Sequence, residues 1–147
     1  GNYNNDKKYY EKLLKLVSRL GLETRIIFLG RVSDEELISG YHNHDIFIFP
    51  NYLQTWGLAP FEAMACGLPV IISRGAGCHE VLTDHKNALI VDPKSPNEIA
   101  GAIEDLLNDP GLYVALSKNG RKFVEDNINW SKYANSMLTV FSQELNK

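Results

Sequence analysis

The sequence predicts an α/β fold in which a parallel sheet is flanked by helices. Three observations predict it: apolar runs that are continuous rather than alternating, amphipathic stretches between them, and a regular exchange of the two along the chain. Continuous apolar runs belong to strands buried on both faces, the situation of parallel sheets. The 147 residues suit one domain. A composition of 44% hydrophobic and 22% charged residues is that of a packed chain, not a disordered or fibrous one. A formal net charge of −3 supplies no positive field for nucleic acid or anionic lipid, so no nucleic-acid partner is expected. The longest mainly apolar runs, such as Ile46–Pro50, fall far short of the roughly 18–25 residues that cross a bilayer. The opening GNYNNDKKYY is unlike a secretory signal, and Cys66 and Cys78 are too few for a disulfide framework or a structural zinc site. A reducing cytosol is the expected compartment.

The elements follow in order. Tyr10, Leu13, Leu14, Val17 and Leu20 share one helical face, and Gly21 ends that helix. Ile26–Leu29 is the first expected strand. Ser33, with Glu36 three residues on, forms a capping box that opens the second helix. Ile46–Phe49 is the next strand. Pro60 fits the first turn of a helix that runs to about Cys66, ended by Gly67 and Pro69. Val70–Ile72 and Ala88–Val91 complete the strands. Ser95-Pro96-Asn97-Glu98 repeats the box, followed by Ile99, Ala102, Ile103, Leu106 and Leu107 on one face. Asp109-Pro110 opens a helix through Leu112, Leu116, Phe123 and Val124. A last helix, within 130–147, has Tyr133, Met137, Leu138 and Phe141 as its inward face. Strands alternating with helices imply right-handed crossovers, and ligands collect at the carboxyl ends of such strands. That directs attention to Gly30–Ser33, Pro50–Pro60, Ser73–His79 and Asp92–Ser95.

The segment Asn51–Pro69 is the densest in chemistry. It leaves a strand, crosses a loop holding Gly57 and enters a helix near Ala59 or Pro60. A helix start presents unpaired amides and partial positive charge, so an anion needs no lysine there. Glu62, in the first turn, can accept both hydroxyls of a vicinal diol such as ribose; the plainer reading is that it only stabilises the helix end. In Ser73–Val81, Gly75 and Gly77 suit either an anion-binding concavity or a flexible turn. No dinucleotide fingerprint and no P-loop lysine pattern occurs. His42 and His44 sit at a helix-to-strand junction and point apart, so a satisfied helix-end histidine fits better than a metal ligand. Cys78 and His79 are adjacent and rarely could face each other as a nucleophile pair. Trp56 could pack the core or wall a pocket.

RIIFLGRVSDEEL, DIFIFPNYLQTWGLAPFEAMACGLPVIIS, GCHEVL and NALIVDP together resemble the C-terminal domain of group-1 retaining glycosyltransferases, glycosyltransferase family four, over about Leu13 to Leu145. The resemblance implies a GT-B enzyme: two Rossmann-like domains facing a cleft, with the nucleotide-sugar donor held mainly by the second. The family's hallmark is a pair of glutamates, which fall here on Gln54 and Glu62. The second binds ribose hydroxyls and the first contacts the donor sugar, where this chain has glutamine instead. Amides around Gly57, Leu58 and Ala59 would meet the distal phosphate, and the base would lie against Arg31 and Val32. No metal or other cofactor is implied, and no catalytic residue is assigned, because front-face departure assisted by the diphosphate needs no protein nucleophile.

The family's domain has two earlier strands carrying an Arg and a Lys that clamp the diphosphate, and an N-terminal acceptor domain precedes it. The chain therefore reads as one partial Rossmann-like domain over 1–147, a fragment inactive alone. The whole enzyme would transfer a hexosyl-type group, with retention, to a glycan or lipid-linked acceptor, in the cytoplasm or at the inner membrane face. A non-catalytic nucleotide-sugar-binding or regulatory module is the alternative, to which Gln54 lends weight. A generic flavodoxin-like domain lacks any phosphate-loop signature. The family strand order places the two earlier strands between Ile26–Leu29 and Ile46–Phe49, so these two would not be neighbours. Unpaired edges then lead to aggregation, an edge-mediated dimer, or a need for the absent segment, unless a rearranged four-stranded sheet pairing 26–29 with 46–49 closes the gap.

Overall fold

The computed structural model describes residues 6–145, leaving 1–5 and the expected helix end at 146–147 outside the described residues. It divides into two compact units, residues 1–39 and 40–147. In the first unit, helix α1 (Lys7–Arg19) starts where Asp6 accepts the Tyr9 amide at 2.9 Å. Of its apolar face only Val17 is buried. Helix α2 (Asp34–His42), whose residues from Gly40 on belong to the second unit, opens on the reciprocal box expected of it: the Ser33 amide donates to Glu36 Oε2 at 2.8 Å and the Glu36 amide to Ser33 Oγ at 3.2 Å.

The run Ile26–Leu29 is not a strand. It forms no ladder among the described residues, and Ile27 and Leu29 are exposed by 78% and 66%. An apolar run becomes a strand only where a partner takes up its amides and carbonyls, and β-propensity alone does not supply one.

The second unit carries the sheet. Strands β1 (Phe47–Phe49), β2 (Val70–Ser73) and β3 (Leu89–Val91) are all parallel, in the order β1-β2-β3. Ile48 stands opposite Ile71, and Ile72 opposite Ile90. Because neighbouring side chains along a strand point to opposite faces, each continuous apolar run feeds two cores. Val70, Ile72 and Ala88 join Phe61, Met64, Leu68 and Tyr41 on one face, with Phe47 and Phe49 packed against them. Ile71, Leu89 and Val91 join Ala102, Leu106 and Leu116 on the other, with Ile46 and Ile48.

Helix α3 (Ala59–Ala65) covers the first face, α4 (Pro96–Asn108) the second, and α5 (Pro110–Asn127) reaches both, through Phe123 and Val124 on one and Leu116 on the other. Ser95 caps α4 by accepting the Glu98 amide at 3.2 Å. The return arm of the expected box is missing there, because Glu98 Oε2 instead accepts the Asp92 amide at 2.9 Å and meets Arg74 at 3.4 Å. Helix α6 (Trp130–Leu145) departs further from expectation, since Tyr133, Leu138 and Phe141 are exposed and only Met137 is half-buried. An amphipathic stripe turns inward only where a layer receives it, and no described element of this unit covers this one.

Leu116 is fully buried in the second core. Leu116→Ala should therefore destabilise the protein by about 2–5 kcal/mol, read as a lowered urea midpoint at unchanged slope. A loss below about 1 kcal/mol would show that α5 does not close that core.

Candidate functional site

The carboxyl ends of β1 and β2 run into loops that are laced to each other. The Gln54 amide donates to the Gly75 carbonyl at 2.9 Å, the Gly77 amide to the Gln54 carbonyl at 2.9 Å, and the Cys78 amide to the Trp56 carbonyl at 3.3 Å. Ser73, wholly buried at the end of β2, donates its hydroxyl to the Asn51 carbonyl at 2.5 Å. A parallel bridge between Gln54 and Ala76 thus carries the β1-β2 pairing past the strands themselves.

Two glycines permit this approach. A Cβ on Gly75 would overlap the carbonyls of Asn51 and Tyr52, and one on Gly77 the carbonyl of Thr55. Residues 74–75 form a turn, and residues 76–79 do not form the expected anion-binding concavity. The amides of Ala76, Gly77, Cys78 and His79 are all spent on protein carbonyls. His79 adds a ring contact to the Ala76 carbonyl at 2.8 Å, and burial pushes the Cys78 thiol up from its ordinary pKa. The two do not form a nucleophile pair.

The lacing fixes the backbone of Gln54 and leaves its side chain exposed, with Oε1 3.5 Å from Asn51 Nδ2. Gly57 follows at φ +109°, a conformation that side chains rarely adopt, and a Cβ there would strike the Phe49 ring. That turn delivers Leu58 and Ala59 to the start of α3, where Leu58 accepts the amides of Phe61 and Glu62 at 2.9 and 3.1 Å. No side chain caps the helix.

Glu62 is exposed in the first turn of α3, and its Oε2 accepts the Tyr41 hydroxyl at 3.0 Å. Tyr41 is 7% exposed, its ring edge-on to Phe47 at 5.7 Å. Sequence reasoning missed Tyr41. It lies in the last turn of α2, next to His42, and nothing local announces a bond to a residue in α3. His44 is satisfied by the Gly40 carbonyl at 2.6 Å, as a helix-end histidine.

Trp56 does both things open to it. It packs on Phe61 at 6.0 Å between ring centres, and it walls a cavity of about 790 Å³ beside Glu62, lined also by Val124, Ile128, Trp130 and Tyr133. Of the seven expected binding residues, Gln54, Gly57, Leu58, Ala59 and Glu62 form one continuous path from β1 into α3. Arg31, exposed, and Val32, half-buried, belong to the first unit, just ahead of α2.

Burial first, then the hydrogen bond and charge of Glu62 and the neighbouring Cys66, push the Tyr41 phenol up to about 12. The folded state thus holds that proton more tightly than the unfolded chain, whose tyrosines titrate near 10. Its stabilisation is complete below about pH 10 and is lost as pH rises from there to about 12. Denaturation curves of wild type and Tyr41→Phe from about pH 8 to 12 should converge across that window; parallel curves would count against the bond. Gly77→Ala should cost about 1–3 kcal/mol of stability through the clash with Thr55. Gly101→Ala, inside α4 with nothing within 4 Å, should be neutral or stabilising in the same melt.

The D-inositol 3-phosphate glycosyltransferase of Rhodococcus jostii is 30% identical over 131 residues, covering 89% of this chain and 29% of that protein. The GDP-mannose-dependent alpha-(1-6)-phosphatidylinositol monomannoside mannosyltransferase of Mycolicibacterium smegmatis is 32% identical over 129 residues, covering 83% of this chain and 34% of it. The crystal structure of the C-terminal domain of LpcC, a glycosyl transferase group 1 family protein of Francisella tularensis, superimposes with a TM-score of 0.79 at 29% identity. The match covers 86% of this chain and 65% of that one. The chain spans about a third of the length of the curated relatives it matches. The parallel sheet with helices on both faces is that of GT-B C-terminal domains. The model of the glycosyl transferases group 1 matches residues 1–123, and the chain belongs to that family.

Proposed function

We propose that this chain is the donor-binding part of a nucleotide-sugar-dependent glycosyltransferase, with Glu62 as the acceptor of the ribose hydroxyls. The observation that carries the reading is the placement of an exposed carboxylate, tethered by a buried tyrosine, at the carboxyl end of a parallel sheet. Ligands of open α/β sheets bind at that end. A carboxylate accepts two hydroxyls of a diol at once, and such charge-assisted bonds are the strong ones. The GDP-mannose dependence of the Mycolicibacterium relative supports a nucleotide-sugar donor.

Within this reading the amides from Gly57 to Ala59 meet the distal phosphate, at a helix start that no side chain occupies. Gln54, its backbone fixed by the bridge to Ala76 and its side chain exposed, faces the donor sugar as a neutral amide. The base contact at Arg31 and Val32 rests on the family resemblance. The greater length of the relatives leaves room for an acceptor-binding domain and for the basic clamp on the diphosphate. Transfer of a hexosyl-type group with retention, to a glycan or lipid-linked acceptor and without a metal, completes the proposal.

Glu62→Gln in the full-length protein should weaken donor binding by about 1.5–3 kcal/mol, roughly 10- to 150-fold in Kd by calorimetry. Affinity equal to wild type would sink the ribose assignment.

A further inference from the structure

We propose that Tyr41 is a positioning residue for the donor ribose, its hydroxyl fixing the Glu62 carboxylate in the orientation that receives the diol. The inference rests on the ribose reading above. A glutamate at the surface has three rotatable side-chain bonds and samples several rotamers unless something holds it. Glu62 is exposed, so packing does not hold it.

The tether comes from a different element. Tyr41 lies 21 residues earlier, at the end of α2, and meets Oε2 at 3.0 Å. Its ring cannot swing away, being 7% exposed, part of the first core and edge-on to Phe47 at 5.7 Å. Phe47 is in turn stacked on Phe49 at 6.2 Å within β1. The tyrosine ring is thus packed against β1, with its hydroxyl on Glu62.

A buried tyrosine hydroxyl needs a partner, and any backbone carbonyl would serve for stability. Here the partner is the one exposed carboxylate at the start of α3. The bond uses a single lone pair of Oε2. A carboxylate offers about four such positions, so room for two ribose hydroxyls remains. Because the phenol keeps its proton well beyond neutral pH, Tyr41 is the donor to Glu62 Oε2 there. The tether therefore lowers the ordering cost of binding without competing for the ligand.

The test uses the full-length protein and whichever of UDP, GDP and ADP binds it most tightly, together with the 2′,3′-dideoxy form of that nucleotide. Calorimetric affinities are compared for wild type, Tyr41→Phe, Glu62→Gln and the double variant. Tyr41→Phe should lose roughly 2- to 10-fold in affinity for the ribonucleotide and nothing for the dideoxy form. It should add no loss on top of Glu62→Gln. An equal loss for both nucleotides, or none for either, overturns the proposal, since a merely structural tyrosine does not distinguish them. Wild-type affinity in Glu62→Gln overturns the ribose reading and this inference with it. A loss in Glu62→Gln alongside an equal Tyr41→Phe penalty on both nucleotides overturns this inference alone. Circular dichroism checks folding, and if Tyr41→Phe does not fold, Tyr41→Met carries the same comparison.

Discussion

The candidate site depends on one contact, the backbone of residues 54–57 lying flush against that of 75–78. Without it, the loop after β1 would be a free excursion of mainly exposed residues, with Tyr52, Leu53 and Leu58 each more than 60% exposed. With it, the loop is an extension of the sheet. Gln54 bonds through its amide to Gly75 and through its carbonyl to Gly77, so the peptide planes on both sides of its Cα are fixed. From there Trp56 is placed over Phe61, Gly57 turns at positive φ against Phe49, and α3 begins where the sheet's carboxyl edge ends. The contact requires two positions without a Cβ, and the chain has glycine at both.

The sheet can serve as this platform because both of its faces are loaded. β2 has no exposed residue, and its side chains divide between the two cores, Val70 and Ile72 to one and Ile71 to the other. Helix α5 belongs to both cores, and Ser117 on it donates to the Gly67 carbonyl at 2.6 Å just after α3. A displacement of α5 would therefore be felt at the end of α3 and at β2 together. Burial of the Val70–Ser73 strand at nearly zero exposure makes such displacement costly, since interiors are close-packed and lose contacts abruptly when opened.

Much of this was legible in the residues, and the failures have physical causes. Continuous runs at 46–49, 70–72 and 88–91 marked the strands to within a residue, because a strand buried on both faces has no polar alternation to confuse it. Ser33, Ser95, Asp109 and Pro60 marked helix starts because capping is local chemistry. Ile26–Leu29 and the face of α6 misled, because apolar pattern announces a surface to be covered and says nothing of what covers it. At the site, the path from Gln54 to Glu62 was visible as one segment. Tyr41 was not, since a bond across 21 residues leaves no local pattern. The doublet Gly75 and Gly77 is ambiguous in sequence, because a glycine lets backbone approach backbone as readily as it lets backbone approach an anion.

The place of Glu62 in the first turn of α3 does not by itself account for its bond to Tyr41. A carboxylate at a helix start gains about 0.3–1 kcal/mol from the dipole, through water and without a fixed orientation. α3 is held by other means: Pro60, Phe61, Ala63 and Met64 are buried, so tertiary packing dominates over any end charge. A dipole role would be served by a mobile side chain. Instead the carboxylate is tied to a tyrosine that is itself buried, and burial, then the bond and charge of Glu62, push that phenol up to about 12. Holding a surface glutamate in one rotamer costs side-chain entropy, which helix stability does not require. The bond instead joins the start of α3 to Tyr41 and, through its ring, to Phe47 of β1, a link that an end charge alone would not make.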